Sequence, residues 1–441
     1  MSDTIEASWF AEKIVDRTIR GIALETSALI RAGALPVGTR LPAIRDIAYE
    51  LRVSPATISE AWSELRKQKI ITGRGRNGTW VSGDRFIAKP ERLASSGIYA
   101  AGALDLTMAV PDVTLLPALG QAMMEGTAVE GLNSYERSRI VPSLERAAMK
   151  RWPYEPEAML ATNGGYNAVY TTLRAMVSPG SAVAIEHPTA MRLLDILEDL
   201  GVRIIPVLCD DQGPLPQSLE AALQERVAAF LFQPRLHSVT GQTVTPQRLV
   251  ALGDVLEKHD TLIIEDDGIA DISPTAPQSL GGRFPERTVH ILSYSKTISP
   301  DIRLGVLSSS ATIVEQIQSY RAFSAGWTSR IVQGAAAWLL ERRETWDTID
   351  TARNIYQQRR DALALALKER GIETRPGSGL ALWVPVVSEQ FAMVTLAARN
   401  IAVNPGGKFS VLPSNHIRVA TSTLSARVED IADAIALASA P

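Results

Sequence analysis

Cysteine is nearly absent from this sequence, and the residues that usually build metal sites are few. The 441 residues include one cysteine, Cys209, which excludes an internal disulfide and any multi-cysteine metal site. The five histidines are scattered without ligand spacing, so no metal is predicted. No apolar run approaches the ~20 residues of a membrane span, and the opening MSDTIEASWFAEK lacks the pattern of a secretion signal. These absences predict a cytoplasmic protein with no membrane partner.

The chain also lacks a large excess of charge of either sign, because its formal net charge is −3. Its distribution is uneven: residues 1–83 hold 12 Lys and Arg against 9 Asp and Glu, and the remainder holds 33 against 39. The stretch LRKQKIITGRGR, residues 65–76, has five basic residues and no acidic one. Such a run is usually a solvated surface, so its meaning depends on the structure around it. The length and the hydrophobic fraction of 46% predict a globular protein of two or three domains.

Residues 41–83 have the pattern of two helices followed by a hairpin. The second helix begins after Ser54, a favourable N-cap, with Pro55 at its first position. Helical spacing predicts that both helices bury apolar residues, namely Ile44, Ile47, Ala48, Leu51, Ile58, Ala61, Trp62 and Leu65. The segments IIT and TWV then flank a glycine-rich tip that carries Arg74 and Arg76. A helix of this kind fits the major groove of DNA, and a basic hairpin can lie on the phosphates. The alternative is a small helical domain that binds protein.

The same motifs resemble the winged helix-turn-helix of GntR-type regulators. That family's pattern is matched at Gly38–Ala48, Val53–Ile58 and Gly73–Val81. The resemblance implies that this domain binds a double-stranded DNA operator. It further implies a set of DNA contacts, which comprises Arg45, Ser54, Thr57, Arg74, Arg76 and Gly78.

Composition divides the rest of the chain into a linker and a larger domain. Residues 84–104 lack a sustained hydrophobic period and contain Pro, Gly and Ser, which predicts a partly mobile linker after a first domain of residues 1–83. Over residues 105–441, amphipathic helical stretches separate β-like runs such as SAVAIEHP, VRIIPVLCD, VAAFLFQP, TLIIEDD and VHILSYSK. The alternation predicts an α/β domain with a mostly parallel sheet and helices on both faces. Ligands of such sheets bind beyond the carboxyl ends of the strands.

Three motifs in this domain carry candidate binding residues. TNGGYNAVYTTLR, residues 162–174, is a glycine turn that feeds a helix, and it offers a phosphate site at Gly164, Gly165 and Tyr166. IIEDDGIAD ends a β-like run with Asp266 and Asp267, where paired acids could bind a metal, cap a helix or face a positively charged ring nitrogen. SYSKTISPDIRLG, residues 293–305, combines one lysine, Lys296, with Ser293, Ser295 and Arg303. A nearby cation favours the neutral amine of a lysine, which can form a Schiff base.

Together these groups match the chemistry of pyridoxal phosphate. Its aldehyde reacts with an amine, its pyridinium pairs with a carboxylate such as Asp266, and its phosphate needs hydrogen-bond donors and an arginine. The motif at 293–305 resembles that of fold-type I aminotransferases, and the resemblance runs over about residues 105–441. It implies the cofactor pyridoxal 5′-phosphate, a small C-terminal α+β subdomain, and a homodimer in which Tyr135 reaches the phosphate of the other subunit. It also implies that Arg418 binds the carboxylate of an amino acid-like effector.

Both domains in this order resemble the MocR subgroup of GntR regulators, over nearly the whole chain. Three positions around the cofactor ring depart from the aminotransferase pattern. Ala190 stands where the pattern has an aromatic residue that stacks on the ring, and Ser238 where it has an asparagine that binds the ring hydroxyl. Gly268 stands where it has a tyrosine that assists this asparagine. Ser238 stays a candidate cofactor contact, and His187 or His237 could compensate in part. Each loss costs on the order of 1 kcal/mol of binding, which favours a sensor over a catalyst.

The sequence therefore predicts a transcription regulator, not an enzyme, that binds pyridoxal phosphate alone or with an amino compound and changes its operator binding. Two alternatives stay open. One is a working aminotransferase that carries a DNA-binding domain, which the three ring-side losses disfavour. The other is a regulator whose larger domain only dimerises, which the intact lysine motif disfavours.

Overall fold

The computed structural model describes residues 5–31, 33–73, 78–82, 90–94 and 102–439. The chain forms two compact units. The first unit comprises residues 1–94 together with 177–183 and 194–204, and the second unit comprises the remaining residues.

The N-terminal part of the first unit is a set of helices closed by a small antiparallel sheet. Its elements are α1 (Ala7–Glu12), α2 (Ile19–Arg31), β1 (Arg40–Leu41), α3 (Ile44–Leu51), α4 (Pro55–Lys67), β2 (Ile71–Thr72) and β3 (Thr79–Val81), with the strand order β1-β3-β2. Phe10 meets Trp62 edge-on in the core, with ring centroids 5.8 Å apart. All eight predicted core residues lie in or against this core, and Ile44 is the one that is only partly buried. The prediction of two helices and a hairpin is confirmed.

Part of the predicted linker is an anchored helix. Residues Glu91–Ala94 form α5, and Arg92 is buried. The Asp195 carboxylate accepts hydrogen bonds from the backbone N–H groups of Arg92 and Leu93 at 3.1 and 3.2 Å, and the Arg92 guanidinium donates to Glu198 at 2.6 and 2.7 Å. This differs from the loose tether that the composition predicts for these residues. The acids that hold Arg92 lie about a hundred positions away, so no local pattern reveals them.

The larger domain is built on an eight-stranded sheet with the order β5-β12-β11-β10-β9-β6-β7-β8. Its strands are β5 (Ala158–Thr162), β6 (Ala182–His187), β7 (Arg203–Asp210), β8 (Gly213–Pro214), β9 (Ala229–Phe232), β10 (Leu262–Asp267), β11 (Thr288–Ser293) and β12 (Gly305–Ser309). The five predicted β-like runs form β6, β7, β9, β10 and β11. Three strands were not predicted: β5 and β8, which form the two edges of the sheet, and β12, which lies between β5 and β11.

The parallel arrangement predicted for the sheet is confirmed for its central strands, and the structure adds antiparallel pairings at β12 and β8. Strands β9, β10 and β11 are parallel, whereas β12 runs antiparallel to both β11 and β5, and β8 antiparallel to β7. Ser293 pairs with Gly305, so the chain returns to the sheet after the short loop of residues 294–304. A connection this short permits an antiparallel return, whereas a parallel one needs a crossover of about a dozen residues or more. The loop that carries Lys296 is therefore held at both ends by neighbouring strands.

Helices separate the strands, as the alternation predicts for an α/β domain. They are α6 (Gly120–Gly126), α7 (Pro142–Met149), α8 (Gly165–Met176), α9 (Met191–Asp199), α10 (Pro216–Leu223), α11 (Pro246–Leu256), α12 (Ala311–Arg321), α13 (Arg330–Leu340) and α14 (Arg343–Glu369). Helices α9 and α11 are two of the amphipathic stretches that separate the β-like runs. Helices α8 and α9 begin just after β5 and β6, so their first turns lie at the carboxyl ends of those strands.

The C-terminal region is a small α+β subdomain, as the resemblance implied. It contains β4 (Leu104–Asp105), β13 (Ala381–Pro385), α15 (Glu389–Ala397), β14 (Ile401–Ala402), β15 (Asn404–Pro405), β16 (His416–Ala420) and α16 (Val428–Ser439). Its three-stranded sheet has the order β13-β16-β15, and β14 pairs in parallel with β4. Apolar side chains of α14, α15 and α16 bury this sheet, among them Leu363, Leu396 and Ile431.

None of the helices in the described part of the chain combines the length and the apolarity needed to span a bilayer. Within the same residues, no group of three or more His, Cys, Asp and Glu side chains is placed to hold a metal ion.

Candidate cofactor and DNA-binding sites

The two acids at the end of β10 have different partners. Asp267 forms a buried ion pair with Arg235, whose guanidinium lies 2.8 Å from the Asp267 carboxylate. Asp266 is buried and forms no hydrogen bond or ion pair with any described side chain. Burial, with a smaller contribution from the charge of Asp267, raises the pKa of Asp266 to about 7. Asp266 is therefore the acid that is free to meet a cationic group of a ligand.

Lys296 and Ser295 lie in the short loop between β11 and β12, and Ser293 is the last residue of β11. The Oγ atoms of Ser293 and Ser295 are 3.1 Å apart, and Ser293 is buried. Burial, followed by the charges of Arg418 and Arg192, lowers the pKa of the Lys296 amine to about 8. A substantial fraction of this amine is thus neutral near physiological pH, which is the form that attacks a carbonyl carbon.

The glycine turn before α8 lies against the same loop. A Cβ atom at Gly165 would lie 3.0 Å from Ser293 Cβ and 3.7 Å from Asp266 Oδ1, and one at Gly164 would lie 3.7 Å from Arg303 Nη2. Gly164 also has a φ of 98°, which favours glycine. The turn, Ser293, Asp266 and the Arg303 guanidinium are therefore neighbours, although they come from three distant segments.

This arrangement fits pyridoxal phosphate. The amides at the start of α8, together with Ser293 and Arg303, could hold a phosphate. The partnerless Asp266 carboxylate could pair with the ring nitrogen, and the Lys296 amine could hold the aldehyde. The fit rests on an observation of the structure, namely a buried carboxylate that forms no hydrogen bond or ion pair with any described side chain.

Arg418 lies on β16 beside Ser238. Its Nη2 donates a 3.3 Å hydrogen bond to the backbone oxygen of Ser238, and its guanidinium lies 5.0 Å from the ring centroid of Phe409. Its Nε is buried without a hydrogen-bond partner among the described residues, and burial lowers the pKa of Arg418 to about 10. No described carboxylate pairs with this arginine. The group is therefore suited to an anionic ligand, as predicted for an effector carboxylate.

A second polar cluster lies beside the site, and sequence analysis missed two of its members, Glu186 and Gln233. It consists of Glu186 at the end of β6, with Gln233 and His237 after β9. Gln233 Nε2 donates to Glu186 Oε1 at 2.6 Å, while Gln233 Oε1 accepts from the backbone N–H of Ser238 at 2.8 Å. Glu186 Oε2 is buried without a hydrogen-bond partner, and burial raises the pKa of Glu186 to about 8. Gln233 thus connects a buried acid to the segment that replaces the family's asparagine.

The two histidines that could compensate for the ring-side losses are already bound within the protein. His237 Nδ1 accepts from the backbone N–H of Thr240 at 3.1 Å, so the proton is on Nε2, which donates to the oxygen of Pro188 at 2.8 Å. Burial lowers the pKa of His237 to about 4, which keeps it neutral. His187 Nε2 lies 2.5 Å from Ser410 Oγ. The ring nitrogens of both histidines therefore have partners within the protein.

The structure also describes Ala190 and Gly268, the other two positions that depart from the aminotransferase pattern. Ala190 is buried just before α9. A Cβ at Gly268 would lie 3.2 Å from Asp266 Oδ1, so this glycine leaves the acid uncrowded. Tyr135, predicted to serve a partner's phosphate, is 88% exposed and meets Trp327 edge-on at 5.8 Å. Within one chain, Tyr135 is therefore a surface residue.

The predicted DNA-contacting residues lie on α3, α4 and the hairpin. Ser54 caps α4, since its Oγ accepts from the backbone N–H of Thr57 at 3.1 Å. Ser54 and Arg45 are exposed, and Thr57 is half-buried. Gly78 has a φ of 91° at the base of the hairpin. Arg74 and Arg76 lie outside the described residues.

Two sequence families match this chain, one at the N-terminal domain and one over the larger domain. Residues 18–81 match the gntR family of bacterial regulatory proteins, and residues 102–435 match the aminotransferase class I and II family. Solved structures at low identity share the fold of the larger domain. An archaeal alanine:glyoxylate aminotransferase has a TM-score of 0.70 at 22% identity, covering 79% of this chain and 93% of its own. The kynurenine aminotransferase of Pyrococcus horikoshii has a TM-score of 0.68 at 20% identity, with coverages of 77% and 90%.

The curated relatives combine both domains. The vitamin B6 salvage pathway transcriptional repressor PtsJ of Salmonella typhimurium is 30% identical over 404 residues, which cover 90% of this chain and 92% of the relative. The pyridoxine biosynthesis transcriptional regulator PdxR of Corynebacterium glutamicum is 26% identical over 85% of each chain. The regulator TauR of Rhodobacter capsulatus is 24% identical over 86% of this chain and 87% of its own.

A GntR-type head joined to an aminotransferase fold defines a class of transcription regulators. This chain belongs to that class, the MocR subgroup of the GntR family.

Proposed function

We propose that this regulator senses pyridoxal 5′-phosphate, alone or with an amino compound, through the Lys296 site of residues 105–441. The signal would pass through a linker, residues 84–104, and change how a head of residues 1–83 binds its operator. The observation that carries this proposal is the buried, unpaired Asp266 carboxylate in a site that also holds a Lys296 amine of lowered pKa. The names of PtsJ and PdxR tie those relatives to vitamin B6, which favours the cofactor itself as a signal.

When bound, the cofactor would supply an aldehyde that reacts with amines. Lys296 would hold that aldehyde, and Asp266 would balance the charge of the ring nitrogen. The donors at Gly164, Gly165 and Tyr166, together with Ser293, Ser295 and Arg303, would hold the phosphate. The Ser238 segment would face the ring hydroxyl, and Arg418 would bind the carboxylate of an effector.

We further propose that the site is used for binding rather than turnover. Transamination requires close control of the ring, whereas a sensor needs only two states with different affinities for its ligand. Ala190 offers no stacking surface, and His187 and His237 are bound to Ser410 and Pro188. These features support the absence of efficient catalysis.

A homodimer is part of the proposal. Tyr135 is predicted to contact the phosphate held by a second subunit, and its 88% exposure within one chain is what such a role requires. Two heads on one dimer would also match the two half-sites of a palindromic operator.

The test is the visible absorption of the purified protein after addition of pyridoxal phosphate. The wild type should develop the band of a lysine-bound cofactor, and Lys296→Ala should not, whereas Lys258→Ala, an exposed lysine on the same domain, should behave as the wild type. Affinity for a DNA duplex selected from a random pool is then measured with and without cofactor. The cofactor should change the DNA affinity of the wild type and leave that of Lys296→Ala unchanged. If the cofactor produces no band in the wild type, or if DNA binding ignores it, the proposal is wrong.

A further inference from the structure

Arg192 lies beside Tyr166 and has no acidic partner among the described residues. It lies in the first turn of α9, two residues after Ala190, and is half-buried. Its guanidinium carbon lies 5.2 Å from the ring centroid of Tyr166. It forms no ion pair or hydrogen bond with any described residue, although buried or half-buried arginines of this domain such as Arg235 and Arg248 pair with carboxylates. An arginine in this position is available to a ligand.

Tyr166 connects Arg192 to the rest of the pocket. Tyr166 directly follows Gly165, and the position of a Cβ on Gly165 is 3.7 Å from Asp266 Oδ1. Burial, opposed by the charges of Arg192 and Arg418, raises the pKa of Tyr166 to about 12. The same two arginines act on the Lys296 amine. The charges of Arg192 and Arg418 thus act on both Tyr166 and Lys296.

The charges of the pocket favour an anionic occupant. Two buried acids of this domain, Asp266 and Glu186, have pKa values raised to about 7 and about 8, so near neutral pH their negative charge is incomplete. The guanidinium groups of Arg192 and Arg418 supply positive charge. The phosphate of the cofactor has its own arginine, Arg303, beside the Gly164 turn. One carboxylate on Arg418 would still leave Arg192 without a counter-charge.

We propose that Arg192 is a second anion-binding residue of the effector pocket, and that the effector is an amino acid with two carboxylates. The first carboxylate would bind Arg418 and the second Arg192, with the amine directed to the Lys296 site. This inference rests on the proposed cofactor site. Charge-assisted hydrogen bonds from a guanidinium to a carboxylate are among the strong ones, so the second contact would govern selectivity.

The test compares acids with their neutral amides, which have nearly the same size. Protein loaded with pyridoxal phosphate is titrated with L-aspartate, L-glutamate, L-asparagine and L-glutamine, and the shift of the cofactor band gives each apparent Kd. The wild type should bind at least one acid about 10- to 100-fold more tightly than its amide. Arg192→Gln should lose this preference while keeping the cofactor band, and Arg418→Gln should weaken acids and amides alike. The control Arg343→Gln changes an exposed arginine on α14 and should match the wild type.

The outcomes separate the two proposals. A cofactor band without any preference for acids in the wild type overturns the role of Arg192 and leaves the cofactor site standing. A preference for acids that survives in Arg192→Gln also overturns it. If the wild type shows no cofactor band at all, the cofactor site and the Arg192 inference that depends on it are both wrong.

Discussion

Arg235 Nε donates a hydrogen bond to Asp267 Oδ2 at 2.8 Å, inside the larger domain. The two side chains are 1% and 3% exposed. Arg235 Nη1 also lies 3.4 Å from Asp271 Oδ1, so one guanidinium balances two carboxylates. This pairing settles which of the two neighbouring acids at the end of β10 keeps a free carboxylate, and it is the reason that Asp266, not Asp267, is available to a ligand.

Arg235→Met should destabilise the larger domain strongly. The variant leaves the buried Asp267 carboxylate without a counter-charge and leaves Asp271 with Arg151 alone, 3.4 Å away. Breaking a buried pair in this way costs about 3–5 kcal/mol. The expected result is a clear fall in the urea concentration at which the domain unfolds, measured by tryptophan fluorescence.

The matched control is Arg283→Met. Arg283 also pairs with two carboxylates, Asp254 at 2.8 Å and Glu257 at 2.7 Å, but its side chain is 38% exposed. Solvated pairs contribute about 0–1 kcal/mol each, so this variant should unfold near the wild-type midpoint. Equal losses in the two variants would show that burial does not set the strength of the Arg235 pair.

Features that depend on residues close in sequence could be predicted, and features that depend on residues distant in sequence could not. The five β-like runs and the helix-turn-helix were predictable because alternation, caps and helical spacing are local patterns. The lysine motif was predictable because Lys296, Ser293 and Arg303 lie within 13 consecutive residues. Arg192 and Glu186 gave no such signal: a single arginine or glutamate in a sequence is most simply read as a solvated charge. Their placement depends on Tyr166, Gln233 and other residues brought close only by the fold.

Glu186 should make the stability of the cofactor-free protein depend on pH. Its pKa is raised from 4.5 to about 8, so the folded protein binds this proton more tightly than the unfolded chain does. The stabilisation is therefore complete below about pH 4.5 and is lost as the pH rises through about 8. Asp266, with its pKa near 7, contributes in the same direction.

Glu186→Gln should remove this dependence in part. A glutamine side chain can still accept the hydrogen bond from Gln233 and carries no charge to bury. The difference in free energy of unfolding between the variant and the wild type should therefore be roughly 1–4 kcal/mol more favourable to the variant at pH 8.5 than at pH 5. Thermal unfolding at the two pH values measures the difference. Glu369→Gln, at an exposed position, should follow the wild type at both. A Glu186→Gln variant with an unchanged pH profile would mean that Glu186 is ionised in the folded protein.

The N-terminus of α4 allows the capping role of Ser54 to be separated from its predicted contact with DNA. Ser54→Ala removes the bond to the Thr57 N–H and should cost about 1 kcal/mol of stability. Ser54→Asp keeps a capping oxygen but adds a negative charge where α4 is predicted to meet the groove. It should fold like the wild type and bind duplex DNA at least about tenfold more weakly at 50 mM salt, because it opposes phosphate binding.

Ser310→Asp provides the control, since Ser310 caps α12 by accepting from the Ile313 N–H at 3.4 Å. It makes the same chemical change at a helix with no predicted DNA contact, so its affinity, measured by fluorescence anisotropy, should equal that of the wild type. Two results would contradict the predicted mode of binding: a Ser54→Asp variant with wild-type affinity, or an equal loss in Ser310→Asp. The first would mean that the N-terminus of α4 does not approach the DNA. The second would mean that added charge anywhere on the chain weakens binding, and that Ser54 has no particular place in it.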